Sequence, residues 1–304
     1  IRTNRKGEVE YDENGEPVIS RPTTGLPEHK RTVIYHQNHE KFKDKNSQFE
    51  FQMFTVDHSI PGSAGYLITD LTNNLKIVYT GDFRLHGLRP EMTQAFVKAA
   101  KEFQPDILII EGTRVRNTTS QRKQAKEIEL QAKFTELFNE HKKSKVNSLI
   151  VIDTAIKNID RIQVIFNAVK ASGKKMVVDA RGYLLLKKYE NDKRYSFDFD
   201  KIYAHFPAKG HGIYVIRDYS YDPAVKELMG SEPNKLIKSE EIGANQKDYV
   251  VLFGFLKFNE FIEIKPNPDS IFIRSNADPF NDEMLLTEKK AINWLKLFKF
   301  KQFP

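Results

Sequence analysis

Hydrophobic and polar positions along this chain fall into two regimes. Over residues 48–56, Phe49, Phe51 and Met53 alternate with Glu50 and Gln52, and Phe54 and Val56 continue the run. A period of two predicts a strand, and this one leads directly to Asp57 and His58. Residues 66–69 and 76–80 predict the next two strands, with Thr72, Asn73 and Asn74 supplying the turn between them. Residues 90–103 then take helical spacing through Met92, Phe96, Ala99 and Ala100, and residues 106–110 form a continuous apolar strand ending at Glu111.

Further along, strands alternate with helices. Residues 121–142 predict a charged amphipathic helix burying Ala125, Ile128, Phe134, Leu137 and Phe138, and residues 148–152 a buried strand. Asn158 is placed to cap a helix with Ile159, Ile162, Ile165, Phe166 and Val169 inside, closing near Gly173 before a strand at residues 175–179. Strand, helix, strand in that order implies a right-handed parallel crossover, the unit of an α/β sheet. Residues 248–253 and 270–274 add two buried strands. Residues 287–298 add a last helix with Ala291, Ile292, Trp294, Leu295 and Phe298 inward, the tryptophan as core rather than as a base-stacking platform. By contrast, the first 32 residues are polar and broken by Gly7, Gly15, Pro17, Pro22, Gly25 and Pro27. They predict a long loop or an edge hairpin with weak strands at residues 8–11 and 17–20.

Length changes this picture into two globular units, 1–115 and 116–304, because 304 residues exceed one small core. No run approaches the roughly eighteen apolar residues of a membrane span, and the first residues do not resemble a signal peptide. A soluble, cytoplasmic protein with no membrane partner is expected. The absence of cysteine excludes disulfides, thiolate zinc sites and a cysteine nucleophile, and leaves His, Asp and Glu to carry any metal. Lys and Arg number 48 against 41 Asp and Glu, a net charge of +7 that favours a polyanionic partner if the excess lies on one face.

The candidate chemistry lies at strand ends. His58 and Asp82 each sit where an apolar run gives way to small, turn-forming residues, so each is offered from a strand end, and Glu111 is a third such residue. An imidazole and a carboxylate in those places could ligate a cation such as zinc. Gly62 and Gly65 permit tight backbone approach near His58, and Gly81 does so before Asp82. His29, His36 and His39 are expected at the surface. His86 is expected in a loop with no assigned role, and His205 and His211 beside a loop, exposed to solvent. Gly182, Gly210 and Gly212 lack the spacing of a dinucleotide or phosphate loop.

The strings VDHSIPGSAGYLI, IVYTGDFRLHG and DILIIEGTR resemble the middle of a metallo-β-lactamase-fold nuclease of the β-CASP group, most closely the ribonuclease J-like RNA-processing exonucleases. SLIVIDTAIKNIDRIQVIFNAVKASGKKMVVDARG and SNADPFNDE are similar to parts of the β-CASP module. The resemblance implies an α/β protein: part of a metallo-β-lactamase αββα sandwich joined to a β-CASP domain with a parallel sheet. It also implies hydrolysis of RNA phosphodiesters by water activated between two divalent cations, zinc or manganese. His58 resembles the single-histidine ligand, Asp82 the bridging aspartate, and Glu111 the first β-CASP acid, which helps orient a histidine that protonates the leaving oxygen. Arg161 could reach nucleic acid or form a helix-surface salt bridge.

Two departures accompany the match. The family's His-x-His-x-Asp-His string is not found before His58, and its later histidine segment does not follow within these 304 residues. The expectation is a piece carrying half a metal site and hydrolysing nothing alone. A metal-free RNA-binding or scaffold subunit of the same fold and a DNA nuclease of the β-CASP group stay open as alternatives. So do exo- against endonucleolytic cutting and assembly into a homo-oligomer.

Overall fold

Two sheets of different character organise the chain, matching the two regimes of the sequence. The computed structural model describes residues 34–43, 47–112, 126–207, 222–276, 279 and 281–303. Asn38–Pro304 form one compact unit and Ile1–Gln37 another, of which only residues 34–37 are described, as irregular chain. The weak strands expected at residues 8–11 and 17–20 lie outside the described residues, as do His29, Ala125 and His211.

The first sheet holds β1 (Lys41–Lys43), β2 (Phe49–Thr55), β3 (Ala64–Asp70), β4 (Leu75–Tyr79) and β5 (Ile107–Ile109) in that spatial order. Neighbours run antiparallel except β4 and β5, which are parallel because helix α1 (Pro90–Phe103) carries the chain back between them. Phe54, Val56, Leu67 and Val78 face α1 and bury Phe96. Gly65 is required there, since a Cβ would lie 2.5 Å from the Phe96 ring. Rows on the opposite face pair Phe51 with Ile68, Ile77 and Ile107, and Met53 with Tyr66, Tyr79 and Ile109. These apolar residues are only half-buried or exposed.

The second sheet is wholly parallel. It comprises β6 (Ile150–Asp153), β7 (Lys175–Val178), β8 (Ile202–Phe206), β9 (Leu236–Lys238), β10 (Tyr249–Leu252), β11 (Ile271–Arg274) and β12 (Lys301–Phe303). Their spatial order is β12-β11-β6-β10-β7-β8-β9. Helices α2 (Glu127–Lys143), α3 (Ile159–Ala171), α4 (Ala180–Lys187) and α5 (Pro223–Ser231) cover one face. Helices α6 (Ser239–Ala244), α7 (Phe261–Ile264) and α8 (Asp282–Leu297) cover the other. Alternation along buried strands feeds both layers: Ile150 and Ile152 enter the first core, Val151 the second. The chain is therefore α/β with a parallel sheet.

The crossover expected at residues 148–179 is present as β6, α3 and β7, with β10 inserted between the two strands. Asn158 caps α3 as expected, its side-chain oxygen accepting the Arg161 amide at 3.2 Å, and all five apolar residues assigned to the buried side are inside. Two expectations fail. Ile128 is 59% exposed, because it lies one residue, about 100° of helix rotation, off the Glu127, Phe134, Phe138 and His141 stripe that packs inward. His205 is buried: it sits on the interior strand β8, where its Nε2 meets the Ser239 hydroxyl at 2.8 Å and its ring abuts Phe253.

At the amino ends of the central strands, His141 and Lys174 form an unusual buried pair. The Lys174 ammonium lies 3.1 Å from His141 Nδ1 and donates to the Lys247 carbonyl, while His141 Nε2 contacts the Ser148 hydroxyl at 3.0 Å. Burial, with Lys174 and Lys247 beside it, pushes the His141 imidazole down to about 4 from 6.5. Burial likewise lowers Lys174 to about 8 from 10.5. The unfolded chain binds a proton at His141 between pH 6.5 and 4 where the folded chain does not, so stability should fall across that window by up to about 3 kcal/mol. Lys174 acts with the same sign at higher pH, adding stability as pH rises from about 8 to 10.5. Urea midpoints measured from pH 7 to pH 4 check this, and His141→Gln should flatten the acid limb.

Candidate functional site

Between the two sheets lies a cleft of about 870 Å³, and the loops of the first sheet build one wall. His58 and Ser59 come from the loop after β2; Asp82, Phe83, Arg84 and His86 from the loop after β4; Glu111 from the end of β5. The other wall is α2, the β6–α3 loop and the end of β11, presenting Lys133, Lys157, Asn158, Arg161 and Ser275. His58, Asp82 and Glu111 thus line one cavity although 53 residues separate the first from the last (111 − 58).

Backbone hydrogen bonds fix the two walls together. The first amides of a helix have no partner within it. Here the Ser59 carbonyl accepts the amide of Ile159, first in α3, at 3.2 Å, and the His86 carbonyl accepts that of Glu127, first in α2, at 3.1 Å. Each loop that carries a site residue therefore closes a helix of the other layer. His86 contributes its backbone in this way, a role its side chain did not suggest.

Beneath the loops lies a buried charge network. Arg84 Nε bonds Asp57 Oδ1 at 3.2 Å, its terminal nitrogens reach Asp160 and lie 3.8 Å from Glu127, and Arg89 also bonds Asp160. The Arg84, Asp57, Asp160 and Glu127 side chains are all at most 6% exposed. Tyr195 donates to Asp160 at 2.9 Å. The Gly87 amide bonds Asp57 Oδ2 at 2.9 Å, and a Cβ there would come within 2.3 Å of both carboxylate oxygens, so only glycine fits. Burial raises the Asp57 carboxyl above its ordinary value, and Arg84 pulls against that rise. Arg161 belongs to the same system: it forks onto Glu127 at 2.7 and 2.9 Å and bonds Ser275 at 2.5 Å. The expected ion pair is made, with a buried carboxylate rather than at the helix surface.

The site residues themselves differ in engagement. Asp82 is exposed, and its side chain makes no hydrogen bond or ion pair among the described residues. Gly81, at φ +55°, turns the chain ahead of it, and a Cβ there would strike the Ala64 carbonyl at 2.5 Å. Glu111 Oε1 accepts the Phe83 amide at 3.1 Å, and its own amide bonds the Thr80 hydroxyl at 3.3 Å, so the strand-end acid braces the Asp82 loop. His58 Nδ1 accepts the Ile60 amide at 3.4 Å; ligating a cation through Nε2 would move the ring proton and forfeit only this long bond. Among the described residues no three His, Asp or Glu side chains are grouped so as to hold a metal ion. In type, the imidazole and free carboxylate fit the donors that zinc or manganese accepts.

Comparison with known proteins bears on the fold. No protein-family model matches the chain, and no curated protein matches it. Among solved structures it is similar to a protein of unknown function from Enterococcus faecalis V583, at 21% identity and a TM-score of 0.64. The match covers 92% of this chain and 57% of that one, so the chain spans little more than half the length of this relative. At that identity the likeness shows the α/β fold alone. No helix among the described residues is long and apolar enough to cross a membrane.

Arg84→Met should leave Asp57 and Asp160 buried with too little compensation and cost about 3–5 kcal/mol, read as a fall in the urea midpoint. Arg181→Met, at an exposed pair, should leave the midpoint nearly in place.

Proposed function

We propose that this chain is part of a metal-dependent phosphodiesterase acting on single-stranded RNA, with a partial metallo-β-lactamase sandwich joined to a β-CASP-type α/β unit. The observation that carries the reading is that His58 and Asp82, from separate strand ends, line one cleft whose opposite wall bears Lys133 and Lys157. Both lysines are exposed and without an ion pair among the described residues. The half-buried apolar rows of the first sheet, Phe51–Ile68–Ile77–Ile107 and Met53–Tyr66–Tyr79–Ile109, suit the inner face of a two-sheet sandwich.

His58 and Asp82 would hold the cations, zinc or manganese. Bound cations supply a water acidified enough to attack near neutral pH. The chain's own residues perform the rest. Lys133 and Lys157 attract the polyanion, and Glu111 keeps the Asp82 loop in place through the Phe83 amide. Arg84 holds the His58 and Asp82 loops against α3 through Asp57 and Asp160. One imidazole and one carboxylate are fewer donors than a hydrolytic centre uses, which favours a second reading as an RNA-binding or scaffold subunit. A DNA substrate is separated from RNA only by the resemblance, since no contact to a 2′-hydroxyl is assigned.

Calorimetric titration with manganese or zinc tests the metal reading. His58→Ala and Asp82→Ala should each weaken binding at least tenfold while leaving the urea midpoint in place; unchanged affinity in both would sink it. Fluorescence anisotropy with a short single-stranded RNA tests the cleft. Lys133→Glu with Lys157→Glu should weaken binding and flatten its salt dependence by about two counterions' worth of slope. RNA binding lost on the lysine changes, with metal affinity absent throughout, would select the scaffold reading.

A further inference from the structure

A second cavity, about 700 Å³, opens at the carboxyl ends of β6, β10, β7 and β11, and shares only Arg274 and Asn276 with the cleft. Strand order makes this a switch point. β6 and β10 are neighbours, yet the chain leaves β6 for β7 on one side and leaves β10 for β11 on the other. The connecting helices divide accordingly, α3 into one core and α7 into the other. Open α/β sheets bind ligands in the crevice that such a reversal leaves outside the strand ends, and this volume is that of a small-molecule site.

Three details of the crevice point to an occupant. Gly254 lines it with φ −73° and ψ 167°, a conformation open to any residue, and a Cβ would meet only an Asp153 oxygen at 3.5 Å. Neither strain nor crowding calls for glycine here, and its bare backbone keeps the space open. Asp153, the last residue of β6, is 4% exposed, and its carboxylate accepts only a long 3.4 Å bond from the Asn276 amide. Burial raises its pKa, against the Asn276 hydrogen bond and the charge of Arg274. Next to it the buried Thr154 hydroxyl has no hydrogen-bond partner among the described residues.

Charge and shape narrow the ligand class. Three carboxylates, Asp153, Asp179 and Glu283, line the crevice against two cations, Lys257 and Arg274, and Arg274 is also paired with Glu288. A phosphate would be repelled; a neutral group rich in N–H and O–H donors would be held. Ile156, Leu252 and Met284 offer an apolar wall for a flat ring. We propose that this crevice is a nucleoside site, taking the donor groups of sugar or base on Asp153 and Thr154 and the ring face against the apolar wall, with no phosphate bound. It stands apart from the phosphodiesterase reading, since His58, Asp82 and Glu111 do not line it.

Saturation-transfer NMR and calorimetry on the whole chain with adenosine, cytidine and their 5′-monophosphates test the assignment. Adenosine or cytidine should bind at least tenfold more tightly than its monophosphate. Gly254→Val should weaken that binding at least tenfold, and Thr154→Val, which keeps the shape and removes the hydroxyl, several-fold with an unchanged urea midpoint. Absence of nucleoside binding at about 5 mM, a weak-fragment threshold, would overturn the proposal. So would equal or tighter binding of the monophosphate, or full affinity in Thr154→Val. None of these results involves metal affinity, so failure here and failure of the phosphodiesterase reading are separable.

Discussion

A single buried guanidinium governs how the two sheets meet. Arg84 leaves the loop after β4 and ends among Asp57 from the loop after β2, Asp160 from α3 and Glu127 from α2. With Arg89 and Arg161 the network holds three positive and three negative groups. Balance matters because an uncompensated charge away from water costs several kcal/mol, whereas a compensated pair is close to neutral in stability. The network therefore contributes less to the depth of the energy minimum than to its uniqueness. Sliding one sheet against the other would separate several charges at once, so the arrangement holds one relative placement of the loops bearing His58 and Asp82.

Those loops are held twice over. Side-chain charges fix them from beneath, and their carbonyls accept the first amides of α2 and α3 from across the cleft. The second set of bonds has a chemical consequence. A free helix amino end is a ready anion site, but the first amide of each helix is already occupied, and the Arg161 amide of α3 is bonded to Asn158. Anion attraction on that wall falls instead to side chains.

Local pattern disclosed the elements, and distance hid the joints. Period-two alternation located β2, and the Gly and Asn turns located β3, β4 and the exposed position of Asp82. Helical spacing with a Pro start marked α1 at its observed bounds. The ion pairs among Asp57, Arg84 and Asp160 are not legible in the sequence because nothing periodic connects residues 27 and 76 apart, and each looks like an ordinary loop or helix-surface charge. One signal was present: Asp57 directly precedes His58, and Arg84 follows Asp82 by two, so opposite charges flank both strand-end residues. Gly87 carried a weaker one. His205 was misplaced for the converse reason, since its buried partner Ser239 lies 34 residues away and a neighbouring loop suggested solvent. Ile128 shows the limit of reading a helix face from apolar residues alone: the buried stripe of α2 includes Glu127 and His141, polar groups whose partners are remote.

The two cavities divide the electrostatics of the parallel sheet between them. In the cleft, Glu127 is paired with Arg161 and Glu111 accepts the Phe83 amide, leaving Asp82 as an exposed acid opposite two exposed lysines. In the switch-point crevice three carboxylates, Asp153, Asp179 and Glu283, stand against Lys257 and Arg274, and Arg274 also pairs with Glu288 outside it. Coulomb energy between unit charges near a protein surface is about 4 kcal/mol at 4 Å, so these opposite balances suffice to sort ligands by charge across two cavities that share a rim. Arg274 and Asn276 form that rim, and Asn276 bonds Asp153 on the crevice side. The end of β11 is thus the boundary between a cavity whose charged residues are mostly cations and one whose charged residues are mostly carboxylates.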